Sequence, residues 1–245
     1  MKIIVTENYD RSCEIAAKMI ADVIRAKPDA RLGLATGGTA EAVYTYLIKE
    51  YKEGNLDFSK VSTVNLDEYV GLSPDHPQSY RYYMDNKLFN HVNIDKKNTY
   101  VVSGIGDIEK NVAEFQRKLQ EKPIDIQLLG IGVNGHIGFN EPNSVLKEKT
   151  HVEELDESTI RANSRFFRNI DEVPRKAITM GIGDIMRAKC LVLVATGKAK
   201  AQAIRSLVIG DEIYCRNPST MIKLHQNATV IIDNELAELV GYKKD

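Results

Sequence analysis

The chain has no tryptophan, only 3 cysteines and 7 prolines in 245 residues, and 33 Lys+Arg against 34 Asp+Glu, a formal net charge of -1. Each scarcity excludes something. Cys13, Cys190 and Cys215 are far apart and form no C-x-x-C pair, so buried, reduced thiols are expected rather than a disulfide framework or a cysteine zinc site. The balanced charge gives no basic footprint for nucleic acid or an anionic membrane, which leaves a small molecule as the expected partner. The longest apolar run, Cys190 to Ala195, is far too short to span a bilayer. The opening MKIIVTENYD lacks a charged segment followed by a long apolar one, and a cytoplasmic location is the expectation. Internal repeats, low-complexity tracts and linkers are also missing. A chain of this length with 43% hydrophobic residues is therefore read as a single domain with a sizeable core.

What is present is an alternation of short β-branched runs with helical-period segments. This pattern predicts an α/β fold with an open, mostly parallel, doubly wound (Rossmann-like) sheet and helices on both faces. KIIVT, RLGLAT, KVSTVNL, Thr99 to Val102, IDIQLL, KAITM, CLVLVAT and ATVIID read as strands. Helices are expected after the first strand, with Ile15, Ala16, Met19, Ile20 and Val23 on one stripe and Pro28 closing it, and over Thr39–Glu53, Ser79–Phe89 and Asp107–Gln120. Glu141 to Pro174 is the least regular section.

In such sheets ligands bind outside the carboxyl ends of the strands. Four stretches fall there: Thr36-Gly37-Gly38-Thr39, Asp67-Glu68, GVNGH with His136, and TGKAK with Lys198 and Lys200. Two glycines between strand and helix let N–H groups approach an anion at the positive end of the helix dipole, although a tight turn capped by Thr39 accounts for the same residues. No Gly-Lys-Ser/Thr follows, so a nucleoside triphosphate is not implied. Asp67 and Glu68 are adjacent on an extended segment and face opposite sides, so one can act while the other packs or pairs. Taken without context, a solvated loop acid is the commoner account of such a residue.

GIGVNGHIGFN, Gly130 to Asn140, spells G-x-G-x-x-G in its first six residues. It fails as a dinucleotide fingerprint, because His136, Gly138, Asn140 and Pro142 would interrupt the required helix. What remains is a glycine loop carrying His136 five residues before Glu141. This is a candidate proton shuttle with its orienting carboxylate, and the glycines are expected to make room for a substrate. No further His or Cys lies at ligand spacing, so no metal is expected. Arg161, Arg165 and Arg168 would share a helical face if TIRANSRFFRN were a helix; a solvated surface face is the simpler account.

Five stretches in series, LATGGT, VNLDEYVGL, GIGVNGHIGFNEP, ANSRFF and TGKAK, resemble the glucosamine-6-phosphate deaminases, also called glucosamine-6-phosphate isomerases. The likeness runs over nearly the whole chain. It implies conversion of an amino-sugar phosphate, D-glucosamine 6-phosphate, with water to D-fructose 6-phosphate and ammonia, without a cofactor. His136 would then open the pyranose ring with Glu141 orienting it, and Asp67 would carry the proton from C2 to C1. Thr36, Gly37, Gly38, Thr39, Arg165 and Lys200 match the phosphate grip, with Arg165 on a mobile lid at about 150–174.

Two departures from the pattern stand out. Many members have Asp where this chain has Asn134, which hydrogen-bonds but carries no charge, and a shifted pH profile for ring opening is implied. His151 and Glu153 stand where the longer bacterial members carry cations of an activator site. No such activation is expected, and the chain is read as a monomer or small homo-oligomer. A 6-phosphogluconolactonase, a galactosamine-6-phosphate deaminase and a non-catalytic sugar-phosphate sensor are the rivals. Tyr69 and IGFNEP argue against the first, and the retained Asp67, His136 and Glu141 against the last.

Overall fold

The computed structural model of the chain describes residues 1–243. The elements follow the expected alternation. In order they are β1 (Lys2–Thr6), α1 (Tyr9–Ala26), β2 (Arg31–Leu34), α2 (Gly38–Lys52), β3 (Ser62–Asn65), β4 (Asp67–Tyr69), α3 (Tyr80–Lys87), β5 (Thr99–Tyr100) and α4 (Ile108–Glu121). They continue with β6 (Ile126–Leu129), β7 (His151–Glu154), α5 (Glu157–Asn163), β8 (Lys176–Thr179), α6 (Ile182–Met186), β9 (Leu191–Ala195), α7 (Ala201–Val208), β10 (Ala228–Asp233) and α8 (Asn234–Val240).

Seven strands form one parallel sheet in the order β1-β10-β9-β6-β2-β3-β5. Its central strands are buried along their whole length, LVLVA in β9 and ATVIID in β10, as strands covered on both faces must be. From β2 the chain proceeds to β3 and β5 on one side; from β6 it proceeds to β9 and β10 on the other. The crevice of the fold therefore opens between β2 and β6, beyond their carboxyl ends.

Asn8 starts α1, its side chain accepting the Arg11 N–H at 2.9 Å. The fully buried face of this helix is Cys13, Ala16, Ala17, Ile20, Ala21 and Ile24, rotated from the expected stripe, since Ile15, Met19 and Val23 are only partly covered. Small side chains let the helix lie close to the sheet, and the larger ones fill its flanks.

One departure positions the site. KAITM and Asp67–Tyr69 do not extend the parallel sheet; with β7 they build a second, antiparallel sheet in the order β4-β8-β7. Leu66 is the crossing point: its N–H still pairs with Leu34 O in the large sheet, while its carbonyl accepts the Met180 N–H. Asp67 thus begins a strand instead of ending one. The small sheet carries its own core of Tyr69, Phe139, Leu155, Ile160, Val173 and Ala177, which draws in parts of the irregular 141–174 section.

At the opposite end of the large sheet, Asp125 is buried where β6 begins. Its carboxylate accepts from Lys27 at 2.8 Å, Lys189 at 2.8 Å and the Arg31 N–H at 2.9 Å. Burial alone would raise this carboxyl, but these three bonds outweigh it and hold it at about 2. A folded value below the unfolded one (about 3.9) means stabilisation that is complete above that pH and lost as pH falls toward 2. Asp125→Asn is expected to lower stability at pH 7 by about 1–2 kcal/mol, the lysines being partly exposed and screened. Urea melts of the two proteins should converge near pH 2.

Candidate active site

A cavity of about 450 Å³ opens at the crevice and is lined from both sides of it, by Thr36–Thr39 after β2 and Gly130–Gly132 after β6. Asp67, His136, Arg165 and Lys200 line the same space. Every stretch singled out from the sequence contributes to it.

Asp67 is 6% exposed, and no hydrogen bond reaches its carboxylate among the described residues. Burial first, and the adjacent Glu68 charge second, push its carboxyl well above the usual range. Glu68 points the other way, as alternation along a strand requires. It accepts the Tyr80 N–H at 2.9 Å and the Arg81 N–H at 3.0 Å, closing the start of α3. Burial raises Glu68 to about 7 despite those bonds. The acid pair therefore divides into one unpartnered carboxylate in the cavity and one that holds a helix.

His136 presents Nδ1 to Glu141 Oε2 at 3.2 Å and to Thr159 Oγ1 at 3.3 Å. For Glu141 burial alone would raise the carboxyl, but the hydrogen bond and charge of His136, with help from Thr159 and Asn134, lower it instead. An ionised Glu141 accepts the Nδ1–H hydrogen bond of the imidazole and leaves the Nε2 lone pair free. Asn134 donates to Glu141 Oε2 at 2.8 Å while its carbonyl accepts the His136 backbone N–H at 3.2 Å. Asn134, at the position where the resemblance implies Asp in many members, thus braces the carboxylate with a donated N–H that an ionised Asp could not supply.

After Gly135 the chain makes a turn bridged between Ile137 and Asn140, with no helix, as the residues predicted. The expectation that the glycines clear space for a substrate needs correction. A Cβ at Gly132 would lie 2.5 Å from the His136 ring, and one at Gly135, where φ is +90°, would lie 2.1 Å from Asn217 Oδ1. These two make room for the protein's own side chains. Of the loop's first three glycines, only Gly130 meets open space.

On another wall Gly37, with φ 103°, caps the start of α2, and Gly38, Thr39 and Ala40 of its first turn line the cavity. Tyr83 and Tyr9, which also line the cavity, fix that turn by donating to Gly37 O at 2.8 Å and Gly38 O at 3.1 Å. Burial, and then the Arg165 guanidinium, push the Lys200 ammonium down. Neither cation is paired with an acid among the described residues. Lys198 instead pairs with Glu235 at 3.2 Å, and Arg161 with Glu157 at 3.0 Å. Geometry thus separates the cavity cations from their neighbours in sequence. The arginine segment is not one helix: α5 ends at Asn163 and a short 3-10 turn, Ser164–Phe166, carries Arg165, its guanidinium 4.7 Å from the Phe166 ring centre.

Thr159, Tyr80, Tyr83 and Asn217 were not singled out from the sequence. A threonine or tyrosine whose partner lies tens of residues away leaves no local signal. Among the described residues no group of three or more His, Cys, Asp or Glu is placed to hold a metal, and no helix is long and apolar enough to cross a membrane. Glu153, in the expected activator position, is held by Lys147 at 2.8 Å and His151 at 2.9 Å.

Comparison with known proteins gives consistent matches. The family model for glucosamine-6-phosphate isomerases/6-phosphogluconolactonase matches residues 6–231. A glucosamine-6-phosphate deaminase of Clostridium perfringens is 50% identical over 242 residues, covering 98% of this chain and 100% of that protein. One from Thermoanaerobacter sp. is likewise 50% identical, covering 98% and 95%. Among solved structures, a monomeric glucosamine-6-phosphate deaminase matches with a TM-score of 0.95 at 45% identity, covering 98% of this chain and 100% of the other. The 6-phosphogluconolactonase from Leishmania guyanensis matches with a TM-score of 0.76 at 19% identity, covering 97% of each chain, a likeness of fold.

Proposed function

The chain belongs to the glucosamine-6-phosphate isomerase/6-phosphogluconolactonase family, and on that premise we propose that it converts D-glucosamine 6-phosphate and water to D-fructose 6-phosphate and ammonia. The observation that carries this reading is the pairing, in one cavity, of an unpartnered buried carboxylate with a His-Glu couple opposite a cationic turn. The N–H groups of Thr36–Thr39, with Arg165 and Lys200, hold the phosphate. His136 takes the proton of the anomeric hydroxyl and delivers it to the ring oxygen, while Glu141 fixes the imidazole. Asp67 then takes the C2 proton of the open-chain aldehyde; the C–H pair forms C1=C2 while the C1=O π pair moves to O1, which takes a proton from the C2 ammonium to give the enolamine, and Asp67 returns its proton at C1 as the nitrogen lone pair forms the C2=N bond. The resulting C2 imine adds water, the C–N bond breaks and ammonia leaves. Asp67 ends as it began.

The substrate completes the electrostatics. Asp67 lacks a cation of its own, and the C2 ammonium of the bound sugar supplies one, favouring the carboxylate at the moment a base is needed. In the free enzyme that cation is absent. The acid limb of log kcat/KM, which reports free enzyme, is therefore expected well above the ordinary carboxylate range of about 4. Glu68→Gln removes the like charge and should move that limb to lower pH; an unmoved limb would assign it to another group.

Within the expected lid at 150–174, closure is carried by the tip around Arg165, since Leu155, Ile160 and Val173 are anchored in the second core while Phe166 and Ile170 are exposed. The functional unit is a monomer without activator control, a reading supported by the monomeric relative and by the ion pairs that occupy Glu153. The reaction is tested by offering glucosamine 6-phosphate, galactosamine 6-phosphate and 6-phosphogluconolactone while following ammonia and ketose phosphate. Ammonia from the first is the expected result. Turnover of the lactone alone would overturn it.

A further inference from the structure

We propose that Asn217 is a positioning residue that sets the distance between the two chemical ends of the cavity, the His136 loop and the Lys200 helix. It rests on the roles of His136 and Lys200 given above. Asn217 lies outside every stretch that the sequence brought forward and does not line the cavity. It is nine-tenths buried, and both ends of its amide are used. Nδ2 donates to Ala203 O at 2.9 Å, in the first turn of α7 and three residues after Lys200. Oδ1 accepts the Ser219 hydroxyl at 2.7 Å and is the atom against which a Cβ at Gly135 would collide.

The contact with Gly135 is more than proximity. Ser219 N–H donates to Gly135 O at 2.9 Å, and Gly135 N–H in turn donates to Gly132 O at 3.1 Å. Gly132 N–H donates to His136 O at 2.9 Å, so the loop that holds the imidazole is a closed set of bonds resting on residues 217–219. That segment is itself rigid: Asn217 N–H donates to Tyr214 O at 2.9 Å, and Thr220 Oγ1 to Asn217 O at 2.8 Å. One buried amide therefore touches the base of the ring-opening loop and hydrogen-bonds α7, the helix that starts directly after Lys200. A sugar phosphate must reach both at once, and catalysis is sensitive to misplacement on the order of 1 Å.

Asn217→Asp separates the two attachments. It keeps the shape and the acceptor for Ser219 but cannot donate to Ala203 O, so α7 is released while the His136 loop is not. KM for glucosamine 6-phosphate is expected to rise about tenfold with kcat changed much less, and inhibition by inorganic phosphate to weaken in parallel. In a Lys200→Met background the substitution should add little, because the group it positions is gone. Ser219→Ala is the milder partner; it frees Oδ1 but keeps the backbone bond to Gly135, and KM should rise about two- to threefold. A lower melting temperature with KM, kcat and phosphate inhibition unchanged, in Asn217→Asp or, if that protein does not fold, in Ser219→Ala, would reduce Asn217 to a structural residue. So would full additivity with Lys200→Met. Wild-type turnover of glucosamine 6-phosphate checks the underlying reaction separately.

Discussion

Asp67→Asn is expected to cut turnover about 10³-fold or more while leaving glucosamine 6-phosphate bound, because it removes the base but none of the phosphate contacts. The same substitution should make the protein harder to unfold at alkaline pH. The folded carboxyl lies well above its ordinary value through burial and then Glu68. Between the unfolded and folded values the folded state holds a proton that the unfolded state has released, so stability falls as pH rises through that window. An amide does not ionise and escapes this loss. The melting temperature of Asp67→Asn should match or exceed that of the wild type at pH 8, with the difference shrinking toward pH 4. Such opposed effects are the mark of a residue kept for chemistry at a cost in stability. Loss of binding without loss of kcat would remove Asp67 from the role of base.

Gly132→Ala is the second large effect. Gly132 is outside the left-handed region, so alanine suits its backbone, but the new methyl would lie 2.5 Å from the His136 ring, well inside van der Waals contact. The imidazole must turn away from Glu141, and kcat should fall about 100-fold. The phosphate wall is untouched, and inhibition by inorganic phosphate should be unchanged. Combined with His136→Gln, the second substitution should add almost nothing, since both remove one function. Additive losses would show that Gly132 acts on something other than His136.

The residues that meet at the cavity were legible because they sit in contiguous motifs at strand ends. The alternation of apolar runs gave the large sheet, and reading past Gly135 to His136, Glu141 and Pro142 excluded a nucleotide cradle. Other features were not legible, each for a physical reason. β4 is only three residues long, too short for a period to declare itself, so Asp67 read as the end of one strand when it opens another. The small sheet pairs HVEE with KAIT in antiparallel register, and a half-exposed polar strand carries no apolar run. Glu68 finds its partners on a helix 12 and 13 residues later. The brace on the His136 loop comes from Asn217 and Ser219, more than 80 residues on, and no spacing rule reaches that far. Asn134 shows the reverse case: its identity was conspicuous in the sequence, but only the geometry shows that its amide supports Glu141 instead of replacing a charge on His136.

In the proposed reaction one shielded carboxylate, Asp67, carries a proton from C2 to C1. Glucosamine 6-phosphate deuterated at C2 tests it directly, with the label followed into the ketose by NMR and the rate compared with that of unlabelled substrate. A primary isotope effect is expected, together with part of the deuterium at C1 of fructose 6-phosphate. Ammonia release with no isotope effect and all C1 hydrogen drawn from solvent would contradict it.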